Sequence, residues 1–257
     1  MEWLGHSLLA GKSLVVGIWF AALFIGERLF PADEKGRAIG SRGARLGRNL
    51  AFWAVNIGVS LVIVLPVTAW ASGHAFWRPF WWKGLAGLAL DILALDFFLY
   101  WWHRANHEIP FLWRFHLVHH LDQTLDTTTA VRFHFGEVSI SAFARALVIL
   151  VIGFPLPSVL LYETLILIAA LFHHSNLKLP PEFERHLSRV IITPSIHWVH
   201  HHARKIDTDS NYGTVFSFWD RMFRSKSPAM RMAGMPIGIE GQPEEDLGAL
   251  LMRPFRG

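Results

Sequence analysis

Four long apolar stretches, separated by polar segments, organise the chain. Residues 14–30 ("LVVGIWFAALFIGERLF"), 50–70 ("LAFWAVNIGVSLVIVLPVTAW") and 84–102 ("GLAGLALDILALDFFLYWW") each approach the ~20 residues an α-helix needs to cross a hydrocarbon core about 30 Å thick. A fourth region, 139–172, is about twice one crossing and is interrupted by "GFPLP". Pro155 and Pro157 suit a tight reversal there, so the pattern predicts a helical hairpin that enters and leaves on one side. Asp91 and Asp96 in the third stretch are expensive against lipid and are expected to point into the protein. The predicted fold is all-α: an integral membrane helical bundle of about four membrane elements plus a helical hairpin, with a cytoplasmic, histidine-rich helical cap.

The loops set the expected orientation. Between the first two stretches lie Lys35, Arg37, Arg42, Arg45 and Arg48 against Asp33 and Glu34, and the positive-inside bias puts that loop in the cytoplasm. The third stretch then returns to the cytoplasm just before His103, and the hairpin brings both its ends back. Every histidine-rich segment after His103 is thereby expected on one multi-pass membrane face. The start "MEWLGHSLLAGK" has no positive leader and no small-residue cleavage site, so the first apolar stretch reads as a retained anchor. Three regions are expected: an N-terminal transmembrane anchor over 1–83, a catalytic domain over 84–225 and a C-terminal tail over 226–257.

Composition sharpens this. Of 257 residues, 52% are hydrophobic and only 17% charged, where a soluble domain carries roughly 25% charge. Cysteine is absent, which removes disulfides, thiolate metal sites and iron–sulfur clusters. Any metal must be held by nitrogen or oxygen. The formal charge of +4 is spread along the chain with no basic face, so no nucleic-acid partner is expected.

The fifteen histidines are the chemical signal. His103 and His107 form HxxxH; His116, His119 and His120 form HxxHH; His197, His200 and His201 form a second HxxHH. On a helix, positions i, i+3 and i+4 share a face, so each box is expected to turn its imidazoles toward one point. Converging, the three boxes supply eight nitrogens, enough for two ions, and neutral imidazole suits Zn, Fe, Cu or Ni. Lone histidines such as His6, His74 and His186 read as surface or interfacial residues, and His202 is expected to face away from the metals. His173 or His174 completes a shell at the end of the hairpin, and His134, beside Arg132 and Glu137, is either a ligand or a neighbour that orients one. A haem cytochrome would place paired histidines inside the spans, and a transporter would line the bilayer midplane; these histidines do neither. A membrane zinc-dependent hydrolase using the same cluster is the alternative, although Phe111 breaks the HExxH pattern that His107-Glu108 begins.

With these boxes and an apolar hairpin between the second and third, the chain resembles the fatty acid hydroxylase/sterol desaturase superfamily of membrane di-iron enzymes. The likeness runs through "HRANHEIPFLWRFHLVHH", "TAVRFHFGE" (with Phe135 where proline is common), "HHSNLKLP" and "SNYGTVFSFWDRMF", covering about residues 85–223. It implies His103, His107, His116, His119, His120, His174, His197, His200 and His201 as metal ligands, with His173 one residue from the His174 match. Asn211, Tyr212, Gly213, Trp219 and Asp220 match a motif whose role is structural or supporting: Gly213 is expected to permit a turn, and Asp220 to accept from a ligand N–H. The resemblance further implies two non-haem irons, O2 as co-substrate, and hydroxylation or desaturation of an unactivated C–H position of a fatty acyl chain or sterol. It also implies a separate electron-donor protein of cytochrome or ferredoxin type.

Overall fold

The structure, a computed structural model, describes residues 2–34 and 42–256. Lys35 and Arg37, part of the orientation argument, lie outside the described residues, as do the side chains of His6 and Arg42. Regular structure among the described residues is helical, with only isolated β-bridges between loops. Helix α1 spans Glu2–Leu29. Helix α2 (Arg42–Val59) runs through a π-helical turn at Ser60–Val64 into α3 (Leu65–Gly73). Then follow α4 (Gly84–Glu108), α5 (Pro110–His120), the hairpin α6 (Phe135–Ile152) and α7 (Leu156–His174), and the short helices α8 (Pro181–Leu187), α9 (Pro194–His200), α10 (Lys205–Thr208), α11 (Phe218–Met222) and α12 (Leu247–Met252).

Four helical segments are long and apolar enough to cross a membrane: Gly43–Gly73, Gly84–Glu108, Phe135–Ile152 and Leu156–His174. Their outward faces are apolar, with Leu61, Val62, Phe143, Leu147 and Val151 exposed. α1 packs along α7, where Trp19 Nε1 donates to the Ile168 carbonyl and Leu23 joins Ala170 and Leu171 in a small core. The main core, formed by Ala71, Leu95, Ile149, Phe154, Val159 and Tyr162, sits between α3, α4, α6 and α7.

Both aspartates of α4 are buried and paired, which is what low-dielectric surroundings demand. Asp91 accepts from Arg78 and from Ser158 Oγ, and Asp96 accepts from Tyr162 Oη and Trp219 Nε1. The hairpin reverses at Gly153, which caps α6 at φ 79°. A Cβ there would meet the Trp77 carbonyl at 2.2 Å, so both backbone conformation and space require glycine. Arg78 reaches the Gly153 carbonyl at 2.8 Å and ties this turn to α4.

At the opposite end, prolines place the histidines. Ile109, ahead of Pro110, is extended (φ −96°, ψ 114°) and ends α4, and Pro110 starts α5 at once. This corner folds α5 back against α4. Pro194 starts α9 in the same manner after extended Thr193.

Candidate metal centre

The structure gathers nine imidazoles into two adjoining groups. His103, His107, His116, His120 and His200 form the first; His119, His174, His197 and His201 form the second. Within each group one ligand atom per residue lies within 4.8 Å of all the others. His120 and His201, one from each group, stack with ring centroids 4.3 Å apart, so the groups share a wall.

The boxes do not each aim at one point, and that expectation is corrected. Each i, i+4 pair stays together: His103 with His107, His116 with His120, His197 with His201. The remaining member of each HxxHH crosses to the other group: His119 to the second and His200 to the first. At about 100° per residue, positions i and i+4 differ by about 40°, whereas i+3 and i+4 are about 100° apart. Between two neighbouring groups, that angle is the division.

Nδ1 contacts fix the tautomers. His103 donates to the Tyr212 carbonyl (2.8 Å), His119 to that of Arg132 (3.1 Å), His174 to that of Ala170 (2.8 Å) and His200 to that of Ser210 (2.6 Å). His116 Nδ1 meets Glu137 Oε1 at 2.8 Å. A carbonyl oxygen only accepts, so in the four carbonyl-bound rings Nδ1 carries the proton and Nε2 is a bare lone pair. In the second group the bare Nε2 atoms of His119 and His174 stand 3.0 Å apart, with His197 Nε2 2.9 Å from that of His174. Two lone pairs facing one another repel, an arrangement that a cation between them would relieve. Nitrogens about 2.1 Å from one ion lie about 3.0 Å apart at a right angle around it and about 3.4 Å apart at the tetrahedral angle, and these spacings are at the right-angle end of that range.

Buried nitrogens without hydrogen bonds point the same way. Both ring nitrogens of His107 and of His120, and Nε2 of His116 and His200, form no hydrogen bond, the Asp209 carboxylate 3.5 Å from His107 Nδ1 being a charge contact only, a costly arrangement unless they bind something. Burial, reinforced by neighbouring imidazoles, holds His119, His120, His197 and His201 well below the usual histidine range, and burial pushes His200 down to about 3. Neutral rings are the form that binds metal. The donor set therefore fits two divalent ions that accept all-nitrogen shells.

The less certain residues take other places. His134 joins neither group: its Nδ1 accepts from the Gly136 amide as the cap of α6, and its Nε2 contacts the Leu251 carbonyl. His173 is also outside both groups, packed on His197 at 4.0 Å, while His174 enters the second. His202 faces away, bonded to Asp207 at 2.8 Å. His74 and His186 are exposed. Asn211 sits at φ 53° and its Oδ1 accepts from the Ser227 amide. Asp220 receives no ligand N–H, contrary to expectation; it accepts the amides of Tyr212 and Gly213 at 2.8 and 2.9 Å. Gly213 is not in the left-handed region, so its reason is space: a Cβ would lie 2.8 Å from Asp220 Oδ2.

Three neighbours of the rings were not legible as such. Glu137 meets His116, Asp209 Oδ1 lies 3.5 Å from His107 Nδ1, and Phe133 stacks on His119 at 4.3 Å. For Glu137 the available signal was a single carboxylate in an otherwise apolar and histidine-rich stretch, "RFHFGEV".

The sequence profile of the fatty acid hydroxylase family matches residues 88–225, more than half of the chain and the whole stretch holding both groups. An ornithine lipid hydroxylase of Rhizobium tropici is 28% identical over 204 residues, covering 79% of this chain and 61% of that protein. An alkylglycerol monooxygenase of Xenopus tropicalis is 32% identical over 155 residues, covering 58% of this chain and 30% of the relative. A cholesterol 25-hydroxylase-like protein of Danio rerio is 29% identical, with 58% and 62% covered. The chain thus spans about a third to three fifths of the length of these relatives. No solved structure matches.

Proposed function

The chain belongs to the fatty acid hydroxylase family, and from that premise we propose that it is a membrane-bound, O2-dependent lipid hydroxylase with two non-haem irons. The ligands are His103, His107, His116, His120 and His200 for one ion and His119, His174, His197 and His201 for the other. The observation that carries this reading is the pair of bare Nε2 atoms on His119 and His174, 3.0 Å apart with no proton to share. Iron in such a shell supplies the activation of O2 that an unactivated C–H bond requires and that redox-inert zinc cannot supply.

The protein's own residues orient and shield. Backbone carbonyls of Tyr212, Arg132, Ala170 and Ser210 hold four rings in the tautomer that presents Nε2 inward. Burial of eight of the nine rings excludes bulk water. The groups sit where α4 and α7 end, so a lipid chain reaches them from the bilayer while an electron-donor protein of cytochrome or ferredoxin type approaches from the water. The catalytic region is 84–225, carried on the anchor 1–83, with the metal site on the cytoplasmic face. The relatives carry the names of three different lipids, which supports a long apolar substrate and hydroxylation over desaturation.

The test is metal analysis of protein purified without chelators, followed by incubation with membrane lipids under labelled O2 and a reducing system (NADPH with a reductase and its ferredoxin or cytochrome) that supplies the two electrons each hydroxylation consumes. About two irons per chain and one labelled oxygen atom in a product lipid are expected. Zinc in place of iron, with lipid cleaved by water and no oxygen taken from O2, overturns the reading in favour of a zinc hydrolase.

A further inference from the structure

The two histidine groups differ in what stands behind them. In the second, the described Nδ1 partners are neutral carbonyls, from Arg132 and Ala170. Among the described residues, no carboxylate lies within hydrogen-bonding distance of a ring of that group. Behind the first group stand two: Glu137 Oε1 at 2.8 Å from His116 Nδ1, and Asp209 Oδ1 at 3.5 Å from His107 Nδ1.

Glu137 is the more telling. It is 7% exposed, His116 is its only described partner, and its second oxygen, Oε2, is buried with none. A buried carboxylate so poorly bonded is expensive unless positive charge is close. The first turn of α6 adds a favourable field but gives neither oxygen a hydrogen bond. The compensating charge available is an ion held on the far side of His116, felt through the ring. A carboxylate behind a ligating imidazole strengthens that nitrogen as a donor.

Resting on the two-ion reading above, we propose that Glu137 is a positioning residue that feeds negative charge through His116 to the ion of the five-histidine group alone. The two ions are then electronically inequivalent. The first-group ion is bound more tightly, and its oxidised form is favoured over its reduced form; the second-group ion, held by four imidazoles with neutral backing, lacks both effects.

The experiment separates charge from shape. Full-length protein in detergent micelles, stripped of metal, is titrated with Co(II), whose d–d spectrum reports binding without any need for turnover. The wild type is expected to take up two ions. In Glu137→Gln the side-chain carbonyl still accepts from His116 but the charge is gone. One of the two ions is expected to bind about 10- to 100-fold more weakly and the other as before. In the iron-loaded protein, one of the two midpoint potentials is expected to rise while the other stays. E137D, which keeps the charge on a shorter arm, is expected to bind the weakened ion more tightly than E137Q. Two ions in the wild type with both affinities unchanged in E137Q, or both weakened alike, overturns this inference and leaves the hydroxylase reading standing. A wild type that takes up no metal overturns both. If E137Q loses its helical circular-dichroism spectrum, E137D against wild type decides: selective weakening of one ion supports the assignment, and equal weakening of both overturns it.

Discussion

Asp220 holds the backbone of Tyr212 rather than any imidazole: Oδ1 accepts the Tyr212 amide at 2.8 Å, and the carbonyl of that same residue receives His103 Nδ1 at 2.8 Å. Asp220 also takes the Gly213 amide and Ser225 Oγ. Removing it in Asp220→Ala strands two buried amides, while the half-buried Ser225 hydroxyl keeps Tyr100 Oη as a partner. At about 1–3 kcal/mol for each unsatisfied group, a loss of several kcal/mol is expected. Thermal melts should show it, and metal analysis should show the first-group ion depleted ahead of the second.

Neighbouring histidines serve different groups, and this separates two otherwise similar substitutions. His119→Ala should cost the second-group ion and His120→Ala the first, each lowering metal content from about two per chain toward about one. Metal-specific spectroscopy of the two variants should give complementary spectra that together account for the wild type. Identical residual spectra would sink the division.

The metal-free protein should weaken as pH falls. Folded-state burial holds His119, His120, His197 and His201 well below the ordinary value and His200 at about 3, while the unfolded chain titrates near 6.5. The unfolded chain therefore binds more protons below pH about 6.5, and stability drops progressively from there toward pH about 3. Each such group contributes up to about 1.4 kcal/mol per pH unit within that window. Chemical denaturation of chelator-treated protein between pH 8 and pH 5 measures it; a flat profile would contradict the buried neutral rings.

Gly153→Ala introduces a Cβ that must clear the Trp77 carbonyl, 2.2 Å away, at a φ of 79°. A loss of about 1–3 kcal/mol from the backbone conformation alone is expected, with the clash added to it. Far from the histidines, it should lower the melting temperature while leaving the metal content of the folded fraction unchanged.

How much of this the chain reveals unfolded depends on which forces are local. The second and third apolar stretches, the hairpin and its glycine-proline turn follow from hydropathy and backbone chemistry, which act over a few residues; the first stretch, 14–30, forms part of α1, which is not among the four candidate membrane spans. Eight of the nine gathered histidines follow from spacing on helices, whereas His174 came from the family resemblance, with His173 as the alternative. What spacing does not carry is how a box is shared: whether His119 turns with His116 or away from it depends on which neighbouring helix faces it, and α7 supplies His174 from 55 positions downstream. Glu137 and Asp209 escaped for the same reason, because their partners lie on other helices. His134 read equally as a ligand or as a neighbour that orients one, and it caps α6, because a single imidazole in "RFHFGE" looks the same in each role.

Helix α4 runs unbroken from Gly84 to Glu108 and carries His103 and His107 on its last turns. No joint separates the apolar length of this rod from the turns that carry the two rings, so any tilt of the rod is expected to swing both rings together, and a bilayer of altered thickness is the condition that would tilt it.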